Sequence, residues 1–378
     1  MKKALIVTAL AGFVRSFLTH DIQILQEMGY EVHCAANKFH PGNENIDEYF
    51  KLLKVKFHQI DFSSNKPISK ETLKSYIQIK KLITSENFDF VHCHTPISGA
   101  IVRWACRKKR KNRLKVVYTT HGFYFHNRSS KKTWIIFGSL EKFMSRYCDA
   151  IITINNEDYQ NAKKMHCKSV YKINGVGVDI GRFKDVNINR DDYRKSIGIK
   201  KNDIMVLSVG ELSKRKNQKV VIEAIGKINN PNIVFVHCGN AMNEENTTEE
   251  VKRTAKQKNV RIILLGLRND IPEICHCADV GTISSTREGL GLAGIEMIAS
   301  GLPIVASNVH GIVDYVQNGV NGYLADPYKL EEFAEGIEKI INGKLKKVDK
   351  VSISKSVLEF DKEKSYNQMK NIYLEILK

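Results

Sequence analysis

The sequence predicts an α/β protein of two doubly wound parallel-sheet domains, and three observations carry that expectation. Short apolar, β-branched runs recur along the chain and alternate with amphipathic helical stretches. The runs are continuous instead of alternating apolar with polar, as in strands covered on both faces. The alternation breaks once, between Asn174 and Asp191, where Gly175, Gly177 and Gly181 punctuate a polar stretch, and it then restarts. At 378 residues the chain is long for one core and comfortable for two. The first domain is expected over residues 1–185 and the second over 186–361, with a final helix, 362–378, packing back on the first.

Taken in order, the first strand is Ala4–Thr8. Met1-Lys2-Lys3 followed by Ala4–Val14 also has the outline of a secretion signal, and Ala9-Leu10-Ala11 mimics a cleavage site. The apolar run is short, however, and a helical pattern over Phe17–Met28 follows at once and ends at Gly29, so a buried strand is the better reading. Further strands are expected at Val32–Ala36, Phe90–His92, Val116–Thr119, Ala150–Ile154 and Val170–Ile173. After the break come Ile204–Val209, Ile233–Cys238, Val260–Leu265, Val280–Ser284, Pro303–Ser307 and Gly322–Ala325. In the last helix Tyr366, Met369, Ile372, Tyr373 and Ile376 recur at helical spacing. No run of uncharged apolar residues is long enough to span a bilayer.

Charge separates the two halves. The chain carries a net +18; residues 1–185 hold 31 Lys+Arg against 16 Asp+Glu (+15), and residues 186–378 hold 28 against 25 (+3). The densest run, Arg103, Arg107, Lys108, Lys109, Arg110, Lys111, Arg113 and Lys115, contains no acid. Such a cluster attracts polyanions, whether anionic lipid, nucleic acid or a phosphate-bearing substrate, or else it is a solvated helix end. Most of the eight cysteines lie in apolar strand or helix contexts, and they read as reduced thiols of a cytoplasmic protein. His92-Cys93-His94 and Cys275-His276-Cys277 place ligand types on consecutive residues, unlike the separated pairs of a zinc site, and no metal is expected there.

The most informative segment runs from Thr286 to Ala306. A strand leads into the turn Glu288-Gly289-Leu290-Gly291, which opens a helix over about Leu292–Ser300. A helix start offers backbone N–H groups and a positive dipole end, and glycines let a ligand approach the backbone. Glu288 in the turn and Glu296 in the helix both stand where a ligand at the strand ends can be reached, and carboxylates accept well from paired hydroxyls. Glu288, seven residues, Glu296, then Ala299-Ser300-Gly301-Leu302-Pro303-Ile304-Val305-Ala306 resembles the signature of the retaining family-4 glycosyltransferases of GT-B fold. The resemblance covers nearly the whole chain. It implies that Glu288 and the amides of Gly289, Leu290, Gly291 and Leu292 hold a donor sugar, and that Glu296 binds the ribose of its nucleotide.

Other segments acquire roles from that resemblance. Val209-Gly210-Glu211-Leu212-Ser213-Lys214-Arg215-Lys216 closes the second domain's first strand, where consecutive cations suit a diphosphate leaving group. Lys216 matches the family's basic residue after Gly210, with Arg215 beside it, but Glu211 stands where an arginine is usual. His121, after a buried strand, matches a histidine that the family points at the donor sugar. Gly12 lies in the first loop, near the diphosphate or the acceptor; the segment lacks the G-x-G-x-x-G pattern, which argues against a nicotinamide enzyme. Arg268 lies in Leu265–Pro272, a turn after a strand; the resemblance implies that this segment's counterpart lies against the nucleotide base, and an ordinary turn is an equal reading.

The resemblance therefore implies a metal-independent transferase without cofactor. It would move a hexose or hexosamine from a nucleotide sugar, expected to be UDP-linked, at a cleft between the domains. The fit is to bacterial enzymes of capsule, exopolysaccharide or lipopolysaccharide assembly, with a glycan or lipid-linked acceptor. Resemblance and the basic first domain together suggest a cytoplasmic protein, peripheral on the inner face of the cell membrane. Two other classes fit part of the sequence. A nucleotide-sugar 2-epimerase shares the fold, and a polyanion-binding protein would explain the charge; the latter lacks a helix-turn-helix, zinc finger or aromatic RNA platform.

Overall fold

The computed structural model describes residues 1–39, 43, 45–62, 69–241, 247–343, 345 and 349–378. It forms two compact α/β units, Met1–Val176 with Glu363–Lys378, and Gly177–Lys362. The division falls at Val176, nine residues before the position expected from composition, so Val178 to Asp185 belong to the second unit. There Val178 bridges Asp361, and Gly177 (φ +85°) lies so near Lys362 that a Cβ would stand 2.4 Å from its Cα.

The first unit holds a seven-stranded parallel sheet, β1 (Lys2–Leu10), β2 (Tyr30–Asn37), β3 (Lys56–Gln59), β4 (Phe90–His94), β5 (Lys115–Thr119), β6 (Ala150–Thr153) and β7 (Ser169–Lys172), in the order β3-β2-β1-β4-β5-β6-β7. Its core strands are buried along almost their whole length, as their unbroken apolar runs require. The helices that cover the sheet include Lys70–Ser85 and Pro96–Cys106, and Leu82, Ile83, Ile101 and Val102 from them pack with Val91, Val116 and Ile151 in one core. The final helix, Lys362–Leu377, buries Met369, Ile372 and Tyr373. The second unit holds β8 (Ile204–Val209), β9 (Ile233–Cys238), β10 (Arg261–Gly266), β11 (Val280–Ile283), β12 (Ile304–Ser307) and β13 (Gly322–Ala325), also parallel, in the order β10-β9-β8-β11-β12-β13.

In each sheet the strand order reverses once, between β1 and β4 and between β8 and β11. At such a reversal the loops leaving two neighbouring strands diverge to opposite faces and open a crevice beyond the carboxyl ends. That topology selects the residues after β1, β4, β8 and β11 as those able to meet a ligand.

Two local expectations need correction. Gly12 does not lie in a loop: β1 runs directly into the helix Ala11–Phe17, and Gly12 sits in its first turn. The helical pattern expected over Phe17–Met28 is likewise interrupted at Leu18, between that helix and Thr19–Glu27. β3 was not foreseen; it is a four-residue edge strand with an exposed lysine and three half-buried residues, too short and too polar to register as a strand.

The basic run Arg103–Lys115 is only partly a cationic surface: Lys108, Arg113 and Lys115 are exposed, while others are engaged within the fold. Arg103 is fully buried, donates to Glu141 at 2.7 Å and stacks over Tyr118. Arg110 makes a two-pronged pair with Asp149, at 2.8 and 3.1 Å. Lys109 donates to the carbonyl of Ile83, and the Lys111 side chain lies outside the described residues. Acids from elsewhere in the chain neutralise the two arginines, and neither is near the run in sequence.

Candidate functional site

The sequence-predicted residues fall into two groups, one in each unit. In the second unit, β8 ends at Val209 and Gly210 follows at φ +136°, a conformation open to glycine. The chain there is crowded: Gly239, also at φ +136°, passes so close to the Gly210 carbonyl that a Cβ on it would stand 1.8 Å away. The turn after Gly210 brings Arg215 and Lys216 toward the turn after β11. The two turns are laced together, Thr286 N donating to Arg215 O at 2.8 Å and the Ser284 hydroxyl to Lys216 O at 2.8 Å.

Glu288 is the centre of that junction. Its Oε2 accepts from Lys216 Nζ at 2.6 Å, from Arg215 Nη1 at 3.1 Å and from the Ser285 hydroxyl at 3.1 Å. Burial pushes its carboxyl up, but the two cations outweigh burial and hold it below the usual glutamate value. Glu211, which replaces the usual arginine, stands 3.8 Å from Arg215 and gives that guanidinium a second acid. The result is two cations and two carboxylates in one crevice, with Lys216 the most deeply placed cation.

The helix Leu292–Ala299 begins at Gly291, whose φ of +80° reverses the chain at its start. A helix leaves its first-turn amides without intrahelical acceptors, so the amides of Leu292 and Ala293 lie at an anion-binding end. Tyr315 fixes that end: its hydroxyl donates to the Gly291 carbonyl at 3.1 Å, and a Cβ at Gly294 would stand 2.2 Å from the same oxygen. Leu290 is buried beneath the turn, while Gly289, Gly291 and Leu292 are half-buried. Glu296, also half-buried on this helix, has its carboxyl raised by burial against a smaller opposing effect of Arg182. Tyr315, Ser285 and Arg182 carried no sequence signal; their roles arise from loops that meet only in the fold. Arg268 is placed after β10 but its fork is engaged by Asp270, at 2.8 and 2.5 Å, and Asp270 also accepts from the Tyr193 hydroxyl.

In the first unit, His121 follows β5 and its Nε2 lies 3.1 Å from His94 Nδ1, the last residue of β4. Behind His94 stands His92, whose Nδ1 faces the Tyr373 hydroxyl at 2.6 Å and whose Nε2 faces the Thr119 hydroxyl at 2.7 Å. Tyr373 in turn hydrogen-bonds Asp21. One assignment satisfies the chain: Tyr373 donates to Asp21 and accepts from His92 Nδ1–H, and Thr119 donates to His92 Nε2. Asp21, His92 and His94 bring ligand-type atoms within 4.8 Å of one another, but both ring nitrogens of His92 are already engaged in this chain. The group is therefore a buried hydrogen-bonded network beneath His121. With Phe17, His20, Met369 and others, His94 and His121 line a small cavity of about 20 Å³, room for about one water.

The network makes a pH prediction. Burial raises the Asp21 carboxyl to about 7, the Tyr373 bond only partly opposing it, and burial lowers His92 to about 3, His121 to about 4 and His94 well below its usual value. The folded Asp21 keeps a proton that the unfolded residue loses near pH ~4, so stability falls as pH rises from there to about 7. The histidines act oppositely: only the unfolded chain takes up their protons below about pH 6.5, so stability falls as pH drops through that value. Asp21→Asn removes the first effect alone. Its stability relative to the parent protein should grow by roughly 2 kcal/mol between pH 5.5 and 8 in urea titrations. A pH-independent difference would show that Asp21 is ionised throughout.

Comparison with known proteins bears on both units. The family model described as Glycosyl transferase 4-like matches residues 5–155, and that described as Glycosyl transferases group 1 matches residues 189–355. The glycosyltransferase EpsD of Bacillus subtilis is 32% identical, over 98% of this chain and 96% of its own. A UDP-Gal:α-D-GlcNAc-diphosphoundecaprenol α-1,3-galactosyltransferase of Escherichia coli is 29% identical, over 97% of this chain and 95% of its own. Among solved structures, Anabaena Alr3699/HepE in complex with UDP and glucose superposes with a TM-score of 0.79 at 20% identity, covering 99% of this chain and 100% of that one.

Proposed function

The chain belongs to the group 1 and 4-like glycosyl transferases, and from that premise we propose a retaining transferase that moves a hexose or hexosamine from a UDP-sugar to a lipid-linked acceptor in bacterial surface polysaccharide synthesis. The observation that carries the reading is the Glu288 junction. Two cations converge on one half-buried carboxylate at the topological switch point of the second sheet, beside the start of a helix. A sugar nucleotide presents a diphosphate and sugar hydroxyls. The diphosphate draws Lys216 and Arg215, and the freed Glu288 accepts from the hydroxyls.

In the proposed reaction the bond from the anomeric carbon to the diphosphate oxygen breaks, and the acceptor hydroxyl adds on the same face. The departing phosphate takes the acceptor's proton. Lys216, Arg215 and the first-turn amides after Gly291 stabilise its growing charge, which is the task a metal performs in other transferases; we propose that none is required here. Glu296 is assigned to the ribose, Gly210 to letting the diphosphate approach the backbone, and His121 to the sugar. A UDP donor and a lipid-diphosphate acceptor are those of a related Escherichia coli galactosyltransferase, and UDP is bound by the similarly folded Alr3699/HepE; both likenesses support the reading.

A thermal-shift screen of nucleotide sugars tests the donor site. UDP and one UDP-sugar are expected to raise the melting temperature by several degrees, without added divalent cation and unchanged by chelator. The response should vanish in Glu296→Ala. Indifference to every nucleotide would overturn the assignment.

A further inference from the structure

The first unit carries a second concavity, far larger than the one beneath His121. It is a groove of about 630 Å³, the size range of ligand-binding pockets. One wall is the helix Lys70–Ser85 through Leu73 and Tyr76; another is Pro96–Cys106 through Ile97, Ala100 and Trp104. The third is the segment Trp134–Met144, through Ile136, Phe137, Leu140 and Phe143. That segment opens with a turn of π-helix, Trp134–Gly138, a rare geometry that often marks functional sites. The only acid among the described residues that line the groove, Glu141, is neutralised from behind by the buried Arg103.

The rim is as apolar as the walls. Of the lining residues, Leu73, Ile136, Phe143 and Leu140 are exposed, at 62, 50, 41 and 38%. Single exposed apolar side chains are ordinary; four around one apolar groove mark a surface that something covers. Cations sit at its edge. Arg107 stacks on Trp104 at 4.0 Å and reaches the Tyr76 hydroxyl at 3.4 Å, and Arg146 lies over Phe143 at 5.5 Å. Lys131, Lys132 and Lys142 are exposed on the same wall segment or beside it.

An apolar trough edged by cations complements an amphiphile with an apolar chain and an anionic head. A second copy of this chain would bring the same excess of positive charge, +15 over residues 1–185, to the contact. We infer that the groove holds the isoprenoid chain of the lipid-linked acceptor, with Arg107 and Arg146 beside its phosphate. This deepens the reading above and rests on its lipid-linked acceptor, but the groove and the donor site are in different units and can be tested separately.

Both tryptophans of the chain, Trp104 and Trp134, adjoin the groove, so their fluorescence reports its occupancy. Undecaprenyl phosphate in detergent micelles should change it saturably, whereas inorganic phosphate or detergent alone should not. Ile136→Asp places a charge at a half-exposed position that folding tolerates, and should weaken the lipid response at least about tenfold. Unchanged stabilisation by UDP would show that the variant is folded. No response to the lipid, or an equal response in Ile136→Asp, overturns the inference, and a normal UDP response beside it would leave the donor site standing. A dimer seen by light scattering in the parent and lost in the variant would also overturn it, assigning the groove to a second copy.

Discussion

Lys216→Ala is expected to lower the rate of sugar transfer by about 10²–10³-fold, the usual loss when one fixed donor to a developing negative charge is removed. Lys216 Nζ stands 2.6 Å from Glu288 and is less exposed than Arg215, so it is the cation least screened by water. Its removal has two consequences. The diphosphate loses a charge that grows in value as the leaving bond breaks, and the half-buried Glu288 loses the larger of the two cations' effects that hold it ionised. Kinetics with saturating acceptor should show the fall in kcat, while Lys216→Arg should recover part of it. A variant with full kcat and only a raised KM would mean that Lys216 binds donor and transition state alike.

Arg103→Ala is expected to destabilise the first unit by about 3–5 kcal/mol, because it leaves Glu141 buried and unpaired. Arg103 is wholly buried, donates Nε to the Gly99 carbonyl at 3.0 Å and Nη2 to Glu141 at 2.7 Å, and lies 4.0 Å from the Tyr118 ring centroid. No water can replace those partners at once. Replacing the pair together, Arg103→Met with Glu141→Leu, should recover much of the loss, since an apolar pair of similar volume avoids desolvating two charges. Urea unfolding of the single and double variants measures the coupling. A single variant within about 1 kcal/mol of the parent would show that Glu141 finds another partner or takes up a proton.

Much of the fold was legible because a parallel strand buried on both faces writes itself as a continuous apolar run. Ile204–Val209, Ile233–Cys238 and Gly322–Ala325 run between the expected residues, and the others end within two. The edge strand Lys56–Gln59 escaped because only one of its sides pairs and no residue in it is fully buried. The loops of the candidate site in the second unit were legible too, since glycine and clustered charge at a strand end are local signals. Two of their partners were not: Ser285 and Tyr315 gain meaning from distances that only folding sets, and Glu211, conspicuous in the sequence, gains its partner Arg215 only there.

The sequence by itself determined the class of fold, the family and the strand ends at which Lys216, Glu288 and His121 stand, because these depend on residue type over a few neighbouring positions. Only the tertiary structure decided which charges are free. It turned Arg103 inward to Glu141 and Arg110 to Asp149, partners 38 and 39 residues away, and it brought Asp21, His92, His94 and Tyr373 from three elements into one buried cluster. Coulomb energy and desolvation depend on separation in space and on the water excluded between charges, and neither is a property of the order of residues along a chain.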